Sequence, residues 1–469
     1  MKIEQIYTGC LAQGAYYITS KDEAVIIDPL REIKPYIERA ERDNVKIKYI
    51  LETHFHADFV SGHVDLAKAT GAKIIYGPTA APDFNCIVAK DGEEYSVGDI
   101  KIKVLHTPGH TMESSCFLLK DEDGKDAALF SGDTLFIGDV GRPDLAQKAA
   151  DMTQEQLAAT LFHSLRDKVM TLEDEVVVYP AHGAGSACGK NMSKETISTI
   201  GAQKKTNYAL RENMTEEEFV KEVTDGLLPP PSYFPMNVAM NKKGYENIDV
   251  VMKRGLKAMN SDEFEAAANE TDAVMLDTRN DAFFHKAFIP NSINISLDGQ
   301  FAPWVGTLIP DVNQQILLIT EPGKEEESVM RLARVGYDNV IGYLNGGIDA
   351  WLIAGKETEK INRISVLEFE KSYDKEKSII VDVRKPGEFN AEHVDGAINI
   401  PLDYINENLA EFPKDKEFMI HCEGGYRSMT TASILKSRGW DNFKEVEGGF
   451  NSIKETEVPT TDFVCPTTI

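Results

Sequence analysis

Apolar positions in the first half of the chain fall into short runs that end in turn residues. "AVIIDP" (24–29), "KIKYILETH" (46–54), "AKIIYGP" (72–78), "IKVLHTPGH" (102–110), "SCFLLK" (115–120), "AALFSGDTLF" (127–136) and "EVVVYPAHG" (175–183) either alternate with period two or run continuously apolar. That pattern predicts strands. "MTQEQLAATLFHSLRDKV" (152–169) and "SKETISTIGAQKKTNYALREN" (193–213) predict helices, each entered through Thr or Ser with Glu a few residues on. Several strands end at a histidine, aspartate or glycine, as expected where a site is assembled from loops at strand ends. "DGLLPPPSYFPMN" (225–237) is read as neither helix nor central strand, because consecutive prolines fix the backbone and remove donors. Tyr233 and Phe234 among the prolines favour an ordered arm packed on the first domain over a loose linker.

The second half repeats itself. "LDTRNDAFFHKAFIPNSINISL" (276–297) aligns without gaps to "VDVRKPGEFNAEHVDGAINIPL" (381–402), pairing Asp277 with Asp382, Arg279 with Arg384, Phe284 with Phe389 and Asn294 with Asn399. Downstream, "GYDNVIGYLNGGIDAW" (336–351) matches "GWDNFKEVEGGFNSI" (439–453). Each copy reads as alternating strand and helix. Three units follow: about 1–245, 246–358 and 359–469.

Composition narrows the class. Of 469 residues, 42% are hydrophobic and 27% charged, as in a folded globular protein. The sequence holds no run of about 18 apolar residues, so no membrane-spanning helix is expected. The N-terminus lacks a secretory signal, so a cytoplasmic location is expected. The formal charge of −26 and the absence of a basic stripe argue against nucleic acid as a partner. Six cysteines (Cys10, Cys86, Cys116, Cys188, Cys422, Cys465) contain no CxxC pair, so neither a disulfide framework nor a zinc ribbon is suggested. The assembly state is unreadable; a homo-oligomer, most simply a dimer, is the default.

The ligand-type chemistry of the first half concentrates in four places. His54, His56 and Asp58 lie in "ETHFHADF", His110 in "HTPGH", Asp133 in "FSGDT" and His182 in "YPAHG", each at the end of a strand-like run. Groups of ligand type at several strand ends point to a metal; His63, His106, His163, His285 and His393 are read as structural. The first 245 residues resemble the metallo-β-lactamase superfamily, which implies an αββα sandwich. Two-metal members carry His-x-His-x-Asp-His, but Phe59 stands where the last histidine would be. Phenylalanine offers no lone pair, so a single metal is expected.

Three histidines and an open position would suit zinc, whereas two histidines and a carboxylate suit non-haem iron(II). Among one-metal members the resemblance is to the persulfide dioxygenases, which implies His54, His110 and Asp133 as ligands of one Fe(2+). His56, Asp58 and His182 would then orient ligands or bound water. "GDVGRPDL" (138–145) resembles a run of dioxygenases and glyoxalase II-like thioesterases. "HGAGSACGKNMS" (182–193) resembles a loop of dioxygenases fused to sulfurtransferases. On that basis Arg142, Cys188 and Lys190 are candidate substrate contacts, each with a structural alternative: Arg142 tied to a carboxylate, Cys188 merely packed. Lys190, Lys194, Lys204, Lys205, Lys242 and Lys243 could meet an anionic tail such as that of coenzyme A, or simply be solvated.

"EFMIHCEGGYRSMTTASILKSRGW" (417–440) reads as a strand ending at Cys422, a glycine loop and a helix beginning near Ser428. Amides of residues 423–427 and the helix N-terminus form a nest for an anionic sulfur, and Arg427 adds charge. With the "DVR" run and "EGG" turn, this resembles a rhodanese domain, whose loop cysteine carries sulfane sulfur. The first copy has Glu321 where Cys422 sits, followed by Glu325, Glu326 and Glu327, and is expected to be silent.

The fold class expected is therefore α/β: a metallo-β-lactamase αββα sandwich followed by two rhodanese-like α/β domains. The resemblance implies a fused persulfide dioxygenase and sulfurtransferase acting on a low-molecular-weight thiol persulfide, O₂ and sulfite. The alternatives are a glyoxalase II-like zinc thioester hydrolase joined to a sulfur carrier, and a non-catalytic sulfur sensor.

Overall fold

The computed structural model describes residues 1–190, 192–227 and 229–464, so Cys465 and Leu228 of the proline-rich stretch lie outside the described residues. The chain divides into two compact units: Met1–Val250 with Ala333–Gly336, and Val251–Leu332 with Tyr337–Ile469.

The first unit holds two six-stranded sheets. One follows chain order: Lys2–Thr8, Gln13–Ser20, Glu23–Ile27, Lys46–Glu52, Lys73–Tyr76 and Ile87–Val88. The other runs in space from Ser198–Thr199 through Val177–Pro180, Asp126–Gly132, Ser115–Lys120 and Ile100–His106 to Glu94–Val97. Every strand predicted from the apolar runs is present, and Lys2–Thr8, Gln13–Ser20, Ile87–Val88, Glu94–Val97 and Ser198–Thr199 are added to them. Strand alternation explains the layering. Ile18, Val25 and Ile27 meet Ile102, Phe117 and Phe130 in one core between the sheets. Their sequence neighbours Tyr17, Ala24 and Ile26 point the other way and pack with Tyr36 and Leu66, from helices Lys34–Asp43 and His63–Thr70. Leu118, Leu129 and Val178 similarly face Leu161, Ile200 and Phe219, from helices Gln154–Ser164, Ile200–Thr206 and Glu216–Thr224. Two helical layers thus enclose two sheets, as expected.

Two local expectations are corrected. The helix predicted over 193–213 is confined to Ile200–Thr206 and a one-turn 3₁₀ segment, Tyr208–Leu210. Ser198 and Thr199 are committed to pairing with Val178 and Val177, and the Thr199 side chain then caps the helix by accepting from the Ala202 amide. In the proline-rich stretch, Phe234–Lys243 is helical despite Pro235. Pro235 occupies the first turn, where its missing N–H is not needed. Tyr233 and Phe234 are buried, as the ordered-arm reading anticipated.

The second unit confirms the duplication. It contains two five-stranded parallel sheets, each with its strands in the spatial order first, fifth, fourth, second, third. The repeated residues hold the same positions. Arg279 grips Asp277, with Nη2 at 2.6 Å from Oδ2, and Arg384 grips Asp382 with the same atoms at 2.7 Å. The Asn294 amide donates to the carbonyls of Asp277 and Arg279, and that of Asn399 to those of Asp382 and Arg384. The recurring Asp-x-Arg and Asn are therefore fold-holding residues in both copies.

Candidate metal centre and sulfur-carrying loop

The ligand-type residues of the first unit converge. His54, His56 and Asp58 follow strand Lys46–Glu52, His110 follows Ile100–His106, Asp133 follows Asp126–Gly132, and His182 follows Val177–Pro180. All are buried. Asp133 stands at the middle. Its Oδ2 lies 3.4 Å from His110 Nε2 and 3.8 Å from His54 Nε2, while its Oδ1 lies 3.6 Å from His182 Nε2. His182 Nε2 is also 3.4 Å from Asp58 Oδ2. Among the groups whose ligand atoms lie within 4.8 Å of one another are His54, His110 and Asp133, and His56, Asp58 and His182; His56 also groups with Asp28 and Glu52.

The hydrogen bonds behind these rings fix which nitrogen is free. His110 Nδ1 donates to the Arg142 carbonyl at 2.8 Å, leaving Nε2 with its lone pair. Thr53 Oγ1 donates to Asp28 Oδ2 at 2.8 Å, so it accepts from His54 Nδ1 at 3.0 Å, again freeing Nε2. Burial first, then the imidazoles of His56, His110 and His182, hold His54 well below the usual histidine range. The neutral ring is the form that binds a metal. Burial alone would lower His56, but Asp28 at 3.1 Å, followed by Glu52 and Asp58, raises it to about 9.

A metal fits this donor set. Both oxygens of Asp133, Asp58 Oδ1 and both ring nitrogens of His182 are buried and make no hydrogen bond. Three carboxylate oxygens and the lone pair of one His182 nitrogen, orphaned at one place, are costly unless a cation satisfies them.

Backbone close approach holds the loops. Gly109, with φ +137°, brings the chain so near helix Gln154–Ser164 that a Cβ would sit 2.4 Å from the Leu161 amide nitrogen. At Gly141 a Cβ would lie 2.1 Å from the Asp133 carbonyl oxygen and 2.9 Å from His110 Nδ1. Asn241, which sequence reasoning missed, donates through Nδ2 to the carbonyls of His56 and Phe59 at 2.8 Å each and accepts from the Ser61 amide. It lies far along the chain, and nothing local to it signals a role at this loop. Asp28, at the end of "AVIIDP", was also missed; an aspartate closing an apolar strand was its only signal.

The remaining candidates separate. Phe59 is fully buried, its ring centroid 4.3 Å from that of His56. Cys188 joins the centre, grouped with Asp133 and His182, and burial followed by Asp58 and Asp133 pushes its thiol well up. Arg142 is paired through Nε and Nη2 with Asp144, both contacts 2.7 Å, so it serves the centre by its carbonyl. The Lys190 ammonium is committed to the carbonyls of Glu222 and Asp225. Lys204 is paired with Asp174.

In the second unit Cys422 directly follows strand Phe418–His421, and helix Tyr426–Ser437 begins four residues later. The Gly425 amide donates to Cys422 Sγ at 3.1 Å. Gly449, of the "EGG" turn, packs so tightly that a Cβ would lie 2.4 Å from the Cys422 carbonyl oxygen, and the Phe450 amide donates to that oxygen at 2.7 Å. Arg427 is close enough to Cys422 to interact electrostatically, and its guanidinium is held by both oxygens of Glu388 at 2.5 and 2.7 Å.

Comparison with known proteins identifies the family of each part of the chain. Residues 8–182 match the family model of the metallo-beta-lactamase superfamily, and residues 260–354 and 365–456 match that of the rhodanese-like domain. A crystal structure of a metallo-beta-lactamase from Staphylococcus aureus subsp. aureus COL is 32% identical, with a TM-score of 0.64, and covers 73% of this chain and 98% of that one. The chain belongs to the metallo-β-lactamase superfamily and carries two rhodanese-like domains. Among curated relatives of this superfamily member, the mitochondrial persulfide dioxygenase of Homo sapiens is 28% identical over 223 residues, 47% of this chain and 79% of that protein. The hydroxyacylglutathione hydrolase of Tolumonas auensis is 33% identical over 171 residues, 36% of this chain and 60% of that protein. No helix among the described residues is long and apolar enough to cross a membrane.

Proposed function

We propose that this protein is a non-haem iron persulfide dioxygenase joined to a sulfurtransferase. The observation that carries the reading is the convergence of two freed Nε2 lone pairs and Asp133 Oδ2, a two-imidazole, one-carboxylate set of the kind that suits ferrous iron. Ferrous iron, when bound, supplies the one-electron route to O₂ that a closed-shell persulfide lacks. The overall reaction is RSSH + O₂ + H₂O → RSH + SO₃²⁻ + 2 H⁺, in which the terminal sulfur gives four electrons and O₂ takes four.

The chain's own groups hold the reactants. His54, His110 and Asp133 occupy one side of the centre; His56, Asp58 and His182 border the other and bind water or its protons. Burial of all six excludes bulk solvent. In the second unit, Cys422 takes sulfane sulfur from a further persulfide and passes it to sulfite: Cys422–SSH + SO₃²⁻ → Cys422–SH + S₂O₃²⁻. The Gly425 amide supports the sulfur that gains negative charge. Small thiol persulfides, O₂ and sulfite are the partners, and one iron per chain is the cofactor.

A second reading, a zinc thioester hydrolase with an attached sulfur carrier, is favoured by one observation: His56, Asp58 and His182 remain close enough to share a second ion, which would have to displace the proton that Asp28 and Glu52 hold on His56. Metal analysis combined with O₂ uptake on several persulfides separates the two. The dioxygenase contains one iron and consumes O₂; the hydrolase contains paired zinc and cleaves thioesters without O₂. Cys422→Ser is expected to keep O₂ uptake while releasing sulfite in place of thiosulfate. Undiminished thiosulfate from that variant would refute the relay.

A further inference from the structure

The repeat without a cysteine touches the loop that has one. Asp281, at the start of helix Asp281–Phe284 in the first repeat, places Oδ2 2.6 Å from Arg363 Nη2. Arg363 lies on the opening strand of the second repeat and reaches Glu445 Oε2 through Nε at 2.7 Å. Glu445 is fully buried, and its Oε1 accepts from Ser428 Oγ at 2.6 Å in the helix that follows the cysteine loop. Ser428 Oγ also stands 3.0 Å from the Gly425 carbonyl.

Gly425 is the meeting point. Its φ of +110° is a conformation that favours glycine, and a Cβ there would lie 3.4 Å from Asp281 Oδ2 and 3.9 Å from Arg363 Nη2. The same residue presents its amide to Cys422 Sγ. The adjoining Tyr426 is held from the first repeat as well: its hydroxyl donates to the Ser296 carbonyl at 3.0 Å, and Gly299 lies against its ring.

We infer that the cysteine-less repeat is a working part of the sulfurtransferase site, with Asp281 a positioning residue that acts through Arg363 to hold the Gly425 amide against Cys422 sulfur. This deepens the sulfurtransferase reading and rests on it. A glycine at left-handed φ has wide freedom, so its amide direction must be set by what surrounds it. One side of that surround, Asp281, comes from the first repeat, and the adjoining Tyr426 is held from it as well. An amide aimed at sulfur matters most when the sulfur is anionic, so the role belongs to the reacting state.

The test uses the full chain. Asp281→Asn keeps the shape and removes the charge that binds Arg363; Tyr426→Phe removes the second contact independently. Cys422 is followed by its pH-dependent alkylation and by sulfur uptake from a small persulfide, read by mass spectrometry. The expected result for Asp281→Asn is an upward shift in the pH midpoint of alkylation. Saturated uptake falls about 10- to 100-fold, as for a displaced stabilising group, while KM stays within about twofold. Tyr426→Phe moves both readouts in the same direction. Simple charge removal beside a thiolate would lower the midpoint, and a purely structural role would leave it fixed; either outcome overturns the inference. If wild-type Cys422 takes up no sulfur from any donor, the sulfurtransferase reading itself fails, whereas normal wild-type uptake with an unchanged variant defeats only the positioning role.

Discussion

Replacing Phe59 by histidine restores the ligand type at the position where two-metal relatives carry one, and it probes the one-metal proposal directly. The phenyl ring is fully buried and packs at 4.3 Å on His56, beside the group formed by His56, Asp58 and His182. Exchanging it for imidazole forfeits about 1–2 kcal/mol of apolar burial. Leaving a buried ring nitrogen unpartnered costs about 1–3 kcal/mol more. The metal-free variant should therefore lose about 2–5 kcal/mol, which for a unit of this size lowers Tm by roughly 4–20 °C. Added zinc should reverse most of the loss, since ligand at a hundredfold excess over Kd returns about 2.7 kcal/mol. The assay pairs elemental analysis of the purified chain with thermal unfolding, with and without zinc. The expected outcome is one metal per chain in the natural protein and two in Phe59→His, with a metal-dependent Tm gain larger in the variant. Two metals already present in the natural protein, or one in both, would show that residue 59 does not decide the stoichiometry.

Gly109→Ala forces a Cβ to within 2.4 Å of the Leu161 backbone at φ +137°, and no rotamer relieves a backbone clash. It should destabilise the first unit by about 2–6 kcal/mol and displace His110, so that metal content falls in elemental analysis; full metal loading at unchanged Tm would refute the close-approach argument. Burial raises the Glu445 carboxyl to about 7 from 4.5, against the lowering effect of Arg363 and Ser428. A raised value in the folded state means that the stabilising contribution is complete below pH 4.5 and is lost as pH rises through 7. It amounts to on the order of 3 kcal/mol. Denaturant titrations at pH 5 and pH 8 should show this decline in the natural protein and a flatter profile in Glu445→Gln; parallel profiles would remove Glu445 as its source.

The sequence by itself determined the class of each part of this protein. Period-two apolar runs specify which face of each strand meets the core, so seven strands between 24 and 183 and the layering they impose were readable in one dimension, while the short Ile87–Val88 and Glu94–Val97 were not. The ligand-type residues were legible for the same reason: strand ends are where a sandwich collects its loops, and His54, His110, Asp133 and His182 all sit there. The gapless match between 276–297 and 381–402 likewise announced two copies of one fold, and the missing cysteine in the first. Tertiary structure decided what depends on distant partners. Strand pairing, which no local propensity reports, turned residues 198–199 from helix into sheet. A proline-rich arm became a helix because its first turn has spare N–H positions, and from that helix Asn241 reached back to tie the His56–Phe59 loop. Only the packed chain showed which imidazole nitrogens remain free, that Cys188 belongs to the centre while Lys190 is spent on carbonyls, and that Asp281 lies against Gly425. Hydrogen-bond direction and close approach are properties of three-dimensional neighbours, and sequence spacing carries no record of them.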